Sequence, residues 1–117
     1  MAAINRLLEI QAPTVYEPAA QASTNSYADV TGSKIDTAGR KCVSYICTNT
    51  GANEIDWKVL GSNDDSAYIE IQAEAGIAAA ASGSYGTAAA PYKYYKVQIK
   101  AASGGSQGEA TLKGYTK

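Results

Sequence analysis

The sequence predicts an all-β domain: an antiparallel β-sandwich, jelly-roll or immunoglobulin-like, of six to eight short strands with an N-terminal arm. Three observations point there. From Ser26 onward apolar residues recur at every second position, clusters of Gly, Asn, Asp, Ser and Thr break the pattern at short intervals, and no stretch holds the apolar period of a long helix. At 117 residues the chain fits one domain, since two of ordinary size would need roughly 200 or more. We divide it into an arm over residues 1–25 and a sandwich over residues 26–117.

The arm carries Pro13 and Pro18, many alanines, and a short apolar cluster of Ile4, Leu7, Leu8 and Ile10. Ile4, Leu7 and Leu8 have helical spacing, but so short a segment is marginal by itself. These residues and Tyr16 are candidates for contact with a neighbouring subunit. Glu9 interrupts the run, so it does not read as a signal peptide, and the expectation is synthesis in the cytoplasm.

The strands follow in order. Ser26–Val30 is the first, closed by Thr31-Gly32-Ser33, and Ile35 continues briefly before Asp36-Thr37-Ala38-Gly39 turns the chain. In Lys41–Thr48, Val43, Tyr45 and Cys47 alternate with Cys42, Ser44 and Ile46, so both faces are partly apolar, as in a central strand. Asn49-Thr50-Gly51-Ala52-Asn53 is rich in residues that tolerate tight turns. Next, Ile55, Trp57 and Val59 alternate with Asp56 and Lys58, giving one core face and one wet face with Trp57 as anchor. After the Gly61–Ser66 loop, Ile69, Ile71 and Ala73 alternate with Glu70, Gln72 and Glu74, completing a hairpin.

Gly76–Ala90 is low in complexity; its alanines favour helix, but glycine and serine interrupt them, so a loose strand, turn and strand is expected, with helix as the alternative. Pro91 opens a segment in which Tyr95, Val97, Ile99 and Ala101 face one way and Tyr94, Lys96, Gln98 and Lys100 the other. Ser103-Gly104-Gly105-Ser106 then leads into Glu109–Tyr115, with Ala110 and Leu112 inward. The predicted core anchors are thus Trp57, Val59, Ile69, Ile71, Val97 and Ile99.

Composition narrows the chemistry. Ten basic and eleven acidic residues give a net charge of −1. Both signs are scattered, so only Lys93, Lys96 and Lys100 resemble a basic patch and no nucleic-acid partner is expected. No apolar run approaches the ~20 residues of a membrane helix, so no membrane partner is expected either. Phenylalanine is absent and nine tyrosines take its place, which puts many rings at rims and interfaces where their hydroxyls find partners.

Histidine is also absent. Serine or cysteine nucleophiles would therefore lack their commonest base, and no enzyme activity is expected. The carboxylate pairs Glu54 with Asp56, Asp64 with Asp65, and Glu70 with Glu74 read as solvated strand faces and a loop rather than a catalytic dyad. Asn63-Asp64-Asp65-Ser66 could hold a cation, but these are also turn-forming residues, so no metal or cofactor is assigned. Cys42 and Cys47 lie five apart on one strand, roughly 16 Å along it and on opposite faces, so they cannot pair. Tyr92 and Tyr94 belong to the densest aromatic cluster and are the remaining interface candidates.

Two resemblances follow. Ile55–Ile71 and Pro91–Ile99, a strand, a Gly-Ser-Asn-Asp-Asp loop, a strand and a later Tyr-Tyr-Lys-Val strand, are similar to discoidin-like carbohydrate-binding sandwiches, without the loop glycine and the arginines of that pattern. Over residues 25–117, including Asp36–Lys41 and Asn49–Asn53, the chain more closely resembles small structural proteins of tailed bacteriophages. That resemblance implies a virion protein, a capsid decoration (cement) protein first and a tail component second. Its partners would be the major capsid protein or other virion proteins and further copies of itself as a homo-oligomer. A carbohydrate-binding module is the alternative.

Overall fold

The computed structural model describes residues 13–117. Its ten strands in that span are β1 (Thr14–Tyr16), β2 (Gln21–Ala22), β3 (Ala28–Asp29), β4 (Ile35–Asp36), β5 (Val43–Asn49), β6 (Ile55–Ser62), β7 (Ile69–Ile77), β8 (Ser82–Thr87), β9 (Tyr94–Ala101) and β10 (Glu109–Thr116). All pairings between strands are antiparallel. The first sheet runs β1-β10-β5-β8 with β2 also on β10, and the second runs β3-β9-β6-β7 with β4 also on β9.

The count exceeds the expected six to eight because two edge strands are each broken in two. Pro18, which has no N–H to donate, stands between β1 and β2. A turn with Gly32 at φ +83° separates β3 from β4. Counted as eight strand positions, the two sheets have the order of a jelly roll, which decides between the two expected sandwich types.

The arm expected over residues 1–25 differs in the part that is described. β1 and β2 pair with β10, from Thr14↔Thr116 to Ala22↔Glu109, so residues 14–22 form an edge of the first sheet. The candidates Ile4, Leu7, Leu8 and Ile10 lie outside the described residues.

The core lies between the sheets. Val43, Tyr45, Cys47, Ala110 and Leu112 enter it from the first sheet; Ile55, Trp57, Val59, Tyr95, Val97 and Ile99 enter from the second. Trp57 reaches across to β8, where a Cβ on Gly83 would stand 2.8 Å from the indole nitrogen. Glycine is what lets the ring lie against that strand. Tyr45 also crosses the core, donating its hydroxyl to the Ser33 carbonyl at 2.7 Å.

Ser33 bridges the break between β3 and β4: its Oγ accepts from the Val97 N–H at 3.2 Å and lies 3.5 Å from the Val97 carbonyl. A side chain thereby does what strand backbone does elsewhere. At the crossing between sheets, buried Asn49 donates to the carbonyls of Asn53 and Ile77 and accepts from the Gly51 N–H, fixing the predicted turn.

Four of the six predicted anchors, Trp57, Val59, Val97 and Ile99, are buried. Ile71 is half-buried against the core, and Ile69 is 52% exposed and anchors nothing. Two β-bulges displace Ile71, and the open end of the sandwich exposes Ile69. Trp57↔Ala75 is followed by Val59↔Gln72, and Leu60 already pairs with Glu70, so β7 carries an extra residue twice. Each extra residue inverts the inside-outside alternation. Gln72 comes to stand opposite buried Val59, and Ile69 regains the inner side only at the open end of the sandwich. The Gly76–Ala90 segment is strand, turn and strand as expected, with Ala80 at φ +63° in the turn.

Candidate interaction surface

Each sheet turns one face outward, and the two faces differ in chemistry. On the second sheet the outward positions of β9, β6 and β7 bring lysines beside carboxylates: Asp56 lies opposite Lys100, Lys58 opposite Gln98, and Leu60 between Lys96 and Glu70. Lys96 pairs with Asp29 at 3.1 Å, Lys58 with Glu70 at 3.8 Å, and Lys100 with Glu74 at 3.9 Å. Two tyrosines weave these pairs together. Tyr27 lies under Lys58 (4.2 Å to the ring centre) and Lys100 (5.2 Å) and donates its hydroxyl to Glu74 at 2.6 Å. Tyr68 lies under Lys96 at 4.2 Å and donates to Asp65, which also pairs with Lys34 at 2.8 Å. Leu60, on this same face, is covered to 7% exposure.

The titration behaviour follows from these contacts. Burial, then the hydrogen bond to Glu74, pushes the Tyr27 hydroxyl well above its ordinary value. Tyr68 is raised by burial and then by Asp65. Glu74 is held low chiefly by the Tyr27 hydroxyl, and Asp65 by Lys34 and then Tyr68. Asp56 is raised, first by burial and then by neighbouring Glu74. In the first sheet, burial pushes the Cys47 thiol up to about 12.

The loop after β6 is held by Asp64. Its Oδ1 accepts from the Ser62 hydroxyl and from the N–H groups of Ser66 and Ala67, contacts that lower its pKa. This is the turn chemistry expected of the Asn63–Ser66 run. Among the described residues no group of three or more Cys, Asp or Glu side chains is arranged to hold a metal ion.

The outer face of the first sheet has another composition. Ser44, Ile46 and Thr48 of β5 lie beside Tyr115, Lys113 and Thr111 of β10 on one side and Gly86, Ser84 and Ser82 of β8 on the other. Val15 of β1 adds to it opposite Tyr115. Ile46 and Val15 are 51% and 57% exposed. Lys113 is the one charged residue among these positions.

The aromatic candidates do not form one site. Tyr92 turns toward the core rim, edge-on to Tyr95 at 6.0 Å, and lines a shallow cleft of about 300 Å³ with Asn63, Asp64 and Ile69. Tyr94 lies on the outer face beside Lys93 and Lys34. Tyr16 packs against the core. A second groove, about 460 Å³, runs between the Val30–Lys34 turn and Asp65, Tyr68 and Lys96. Sequence reasoning missed Tyr27, Tyr68, Val15 and Ile46 as surface features; only Ile46 had left a signal, in the two-sided apolar character of its strand.

This is a jelly-roll sandwich with open outer faces, and solved structures share its fold. No protein-family model matches the chain, and no curated protein does so significantly. The PBSX exported protein XepA superposes with a TM-score of 0.66 at 14% identity, covering 88% of this chain; the chain spans 36% of XepA. The SPBc2 prophage-derived protein YomS superposes with a TM-score of 0.59 at 9% identity, over 90% of this chain and 92% of YomS. A chain from the disulfide-linked pili of Bacillus endospore appendages gives 0.51 at 12% identity, over 91% and 90%. At these identities the likeness is one of fold.

Proposed function

We propose that the chain is a structural protein of a tailed-bacteriophage particle, and within that class a head decoration protein that binds across neighbouring capsid subunits. The observation that carries the reading is the end-to-end correspondence with the prophage-derived YomS, in which the shared fold accounts for nearly all of both chains. The low charge of the first sheet's outer face, with Ile46 and Val15 exposed, supports it, because large apolar side chains grouped on one face suit a partner's surface. The mechanism is burial of interface area. One contact can be modest, since many copies on a symmetric shell multiply it.

The test is to add purified protein to particles lacking it and read occupancy by electron microscopy. Full-length protein should decorate the head, and a variant without residues 1–12 should attach more weakly while remaining folded. Full occupancy by the truncated protein would remove the arm from the mechanism, and absence of attachment to any particle component would remove the reading itself. Sugar binding is the second reading, favoured by the meeting of Tyr92 with Asn63 and Asp64 in one cleft. Saturable binding on a glycan array, lost in Tyr92→Ala, would establish it.

A further inference from the structure

β8 ends the first sheet, and among the described residues no strand pairs with its other side. Exposed edges invite pairing with another chain, and folded proteins guard them with bulges, charges, proline or brevity. The other edges carry such guards: β7 is bulged twice and bears Glu70 and Glu74, while β1, β2, β3 and β4 are two or three residues long. β8 has six residues in unbroken register with β5, from Val43↔Thr87 to Thr48↔Ser82. No charged residue occurs from Ala75 to Tyr92.

The ladder fixes which groups face out. Asn49 donates its N–H to the Ala81 carbonyl at 2.9 Å, while Cys42 exchanges both backbone bonds with Lys117 on the β10 side. By antiparallel alternation, Gly83, Tyr85 and Thr87 therefore bond to β5, and the N–H and C=O groups of Ser82, Ser84 and Gly86 point away from it. These outward groups are symmetric about Ser84. A two-fold axis there sets Ser82 against Gly86 of another copy and Ser84 against itself, with two backbone hydrogen bonds possible at each such pair.

We propose that β8 is a self-pairing edge, through which a second copy of this chain joins β8 to β8 antiparallel about Ser84 and makes one continuous sheet. A two-fold contact sets like against like, which a charged strand would resist and this uncharged one does not. The joined sheet also brings the two exposed Ile46 side chains, each beside Ser84 in register, to either side of the seam. The inference does not rest on the phage reading: a monomeric protein would overturn it and leave that reading standing.

Sedimentation equilibrium of the full chain should give twice the chain mass. Ser84→Pro removes only an outward N–H and should yield a folded monomer; Ser84→Lys, which leaves the backbone unchanged, should do the same and decides the matter if the proline variant fails to fold. Ser84→Cys should form a covalent dimer on mild oxidation under conditions in which wild-type protein, with Cys42 and Cys47 alone, does not. A monomeric wild type, or a dimer that persists in Ser84→Lys, would overturn the proposal. So would a dimer that dissociates on removal of residues 1–12 while Ser84→Cys fails to cross-link, since the arm would then be the occupant.

Discussion

The two outward faces rest on one core and are built by the same alternation, yet one is saturated and the other open. On the second sheet Lys58, Lys96 and Lys100 each have a carboxylate and a tyrosine ring as neighbours, so the face satisfies its own charges. On the first, hydroxyls, Gly86 and the exposed Ile46 and Val15 surround Lys113, and the only other strand charge, Glu109, lies at the far end of β10. Exposed ion pairs each contribute little, about 0–1 kcal/mol, so the lattice matters more for shape than for stability: it holds long side chains flat and already paired. A partner must break those ion pairs to dock there, whereas the first sheet's face holds only hydroxyl hydrogen bonds such as Thr48 with Ser82.

The comparison can be broken most strongly from beneath. Tyr45→Phe leaves the Ser33 carbonyl without its hydroxyl donor, and denaturant unfolding should show a loss of about 1–3 kcal/mol, the cost of an unsatisfied buried group. Amide exchange should rise first around Val30–Lys34, on the saturated side. Tyr27→Phe keeps the ring under Lys58 and Lys100 but removes the bond to Glu74. The same measurement should give about 1 kcal/mol, with the open face unchanged in NMR spectra.

Acid should separate the faces further. Asp64, Asp65 and Glu74 have folded pKa values below their ordinary ones of 3.8 and 4.5. Their contribution is therefore complete above those values and is lost as pH falls through the lower folded ones. Asp56, raised, acts in the opposite sense and gains on protonation. An NMR titration from pH 6 to pH 2 should shift the loop and second-sheet signals and largely spare β5, which contains no carboxylate. The smallest expected change is that of Ile46→Thr on the open face, within about 0.5 kcal/mol in stability; its effect should appear in particle attachment or self-association instead.

Much of the fold was legible because strict alternation needs no knowledge of neighbours. Trp57, Val59, Val97 and Ile99 are inward as their spacing predicts, and so are Ala110 and Leu112. Ile71 was misplaced because a bulge leaves no mark on the apolar pattern of its own strand, appearing only against the partner β6, and Ile69 because its inner side lies at the open end of the sandwich. Tyr92 and Tyr94 share parity but not a face, because Tyr92 precedes β9 and the strand's alternation does not extend to it. The surface lattice was hidden by distance in sequence: Tyr27 and Glu74 are 47 residues apart. Their meeting depends on strand order, which no local pattern encodes.

The Ser33 side chain has a consequence for how this sandwich could diversify. Since its Oγ meets Val97 where a strand's backbone otherwise would, the chain leaves the sheet after Val30 and re-enters at Ile35 with β9 undisturbed on both sides. Residues added between Thr31 and Gly32 would lengthen an excursion already outside the ladder, next to the groove walled by Asp65 and Tyr68. The position is a natural port for grafting: a recognition loop inserted there would change what the molecule touches without asking either sheet to change its register.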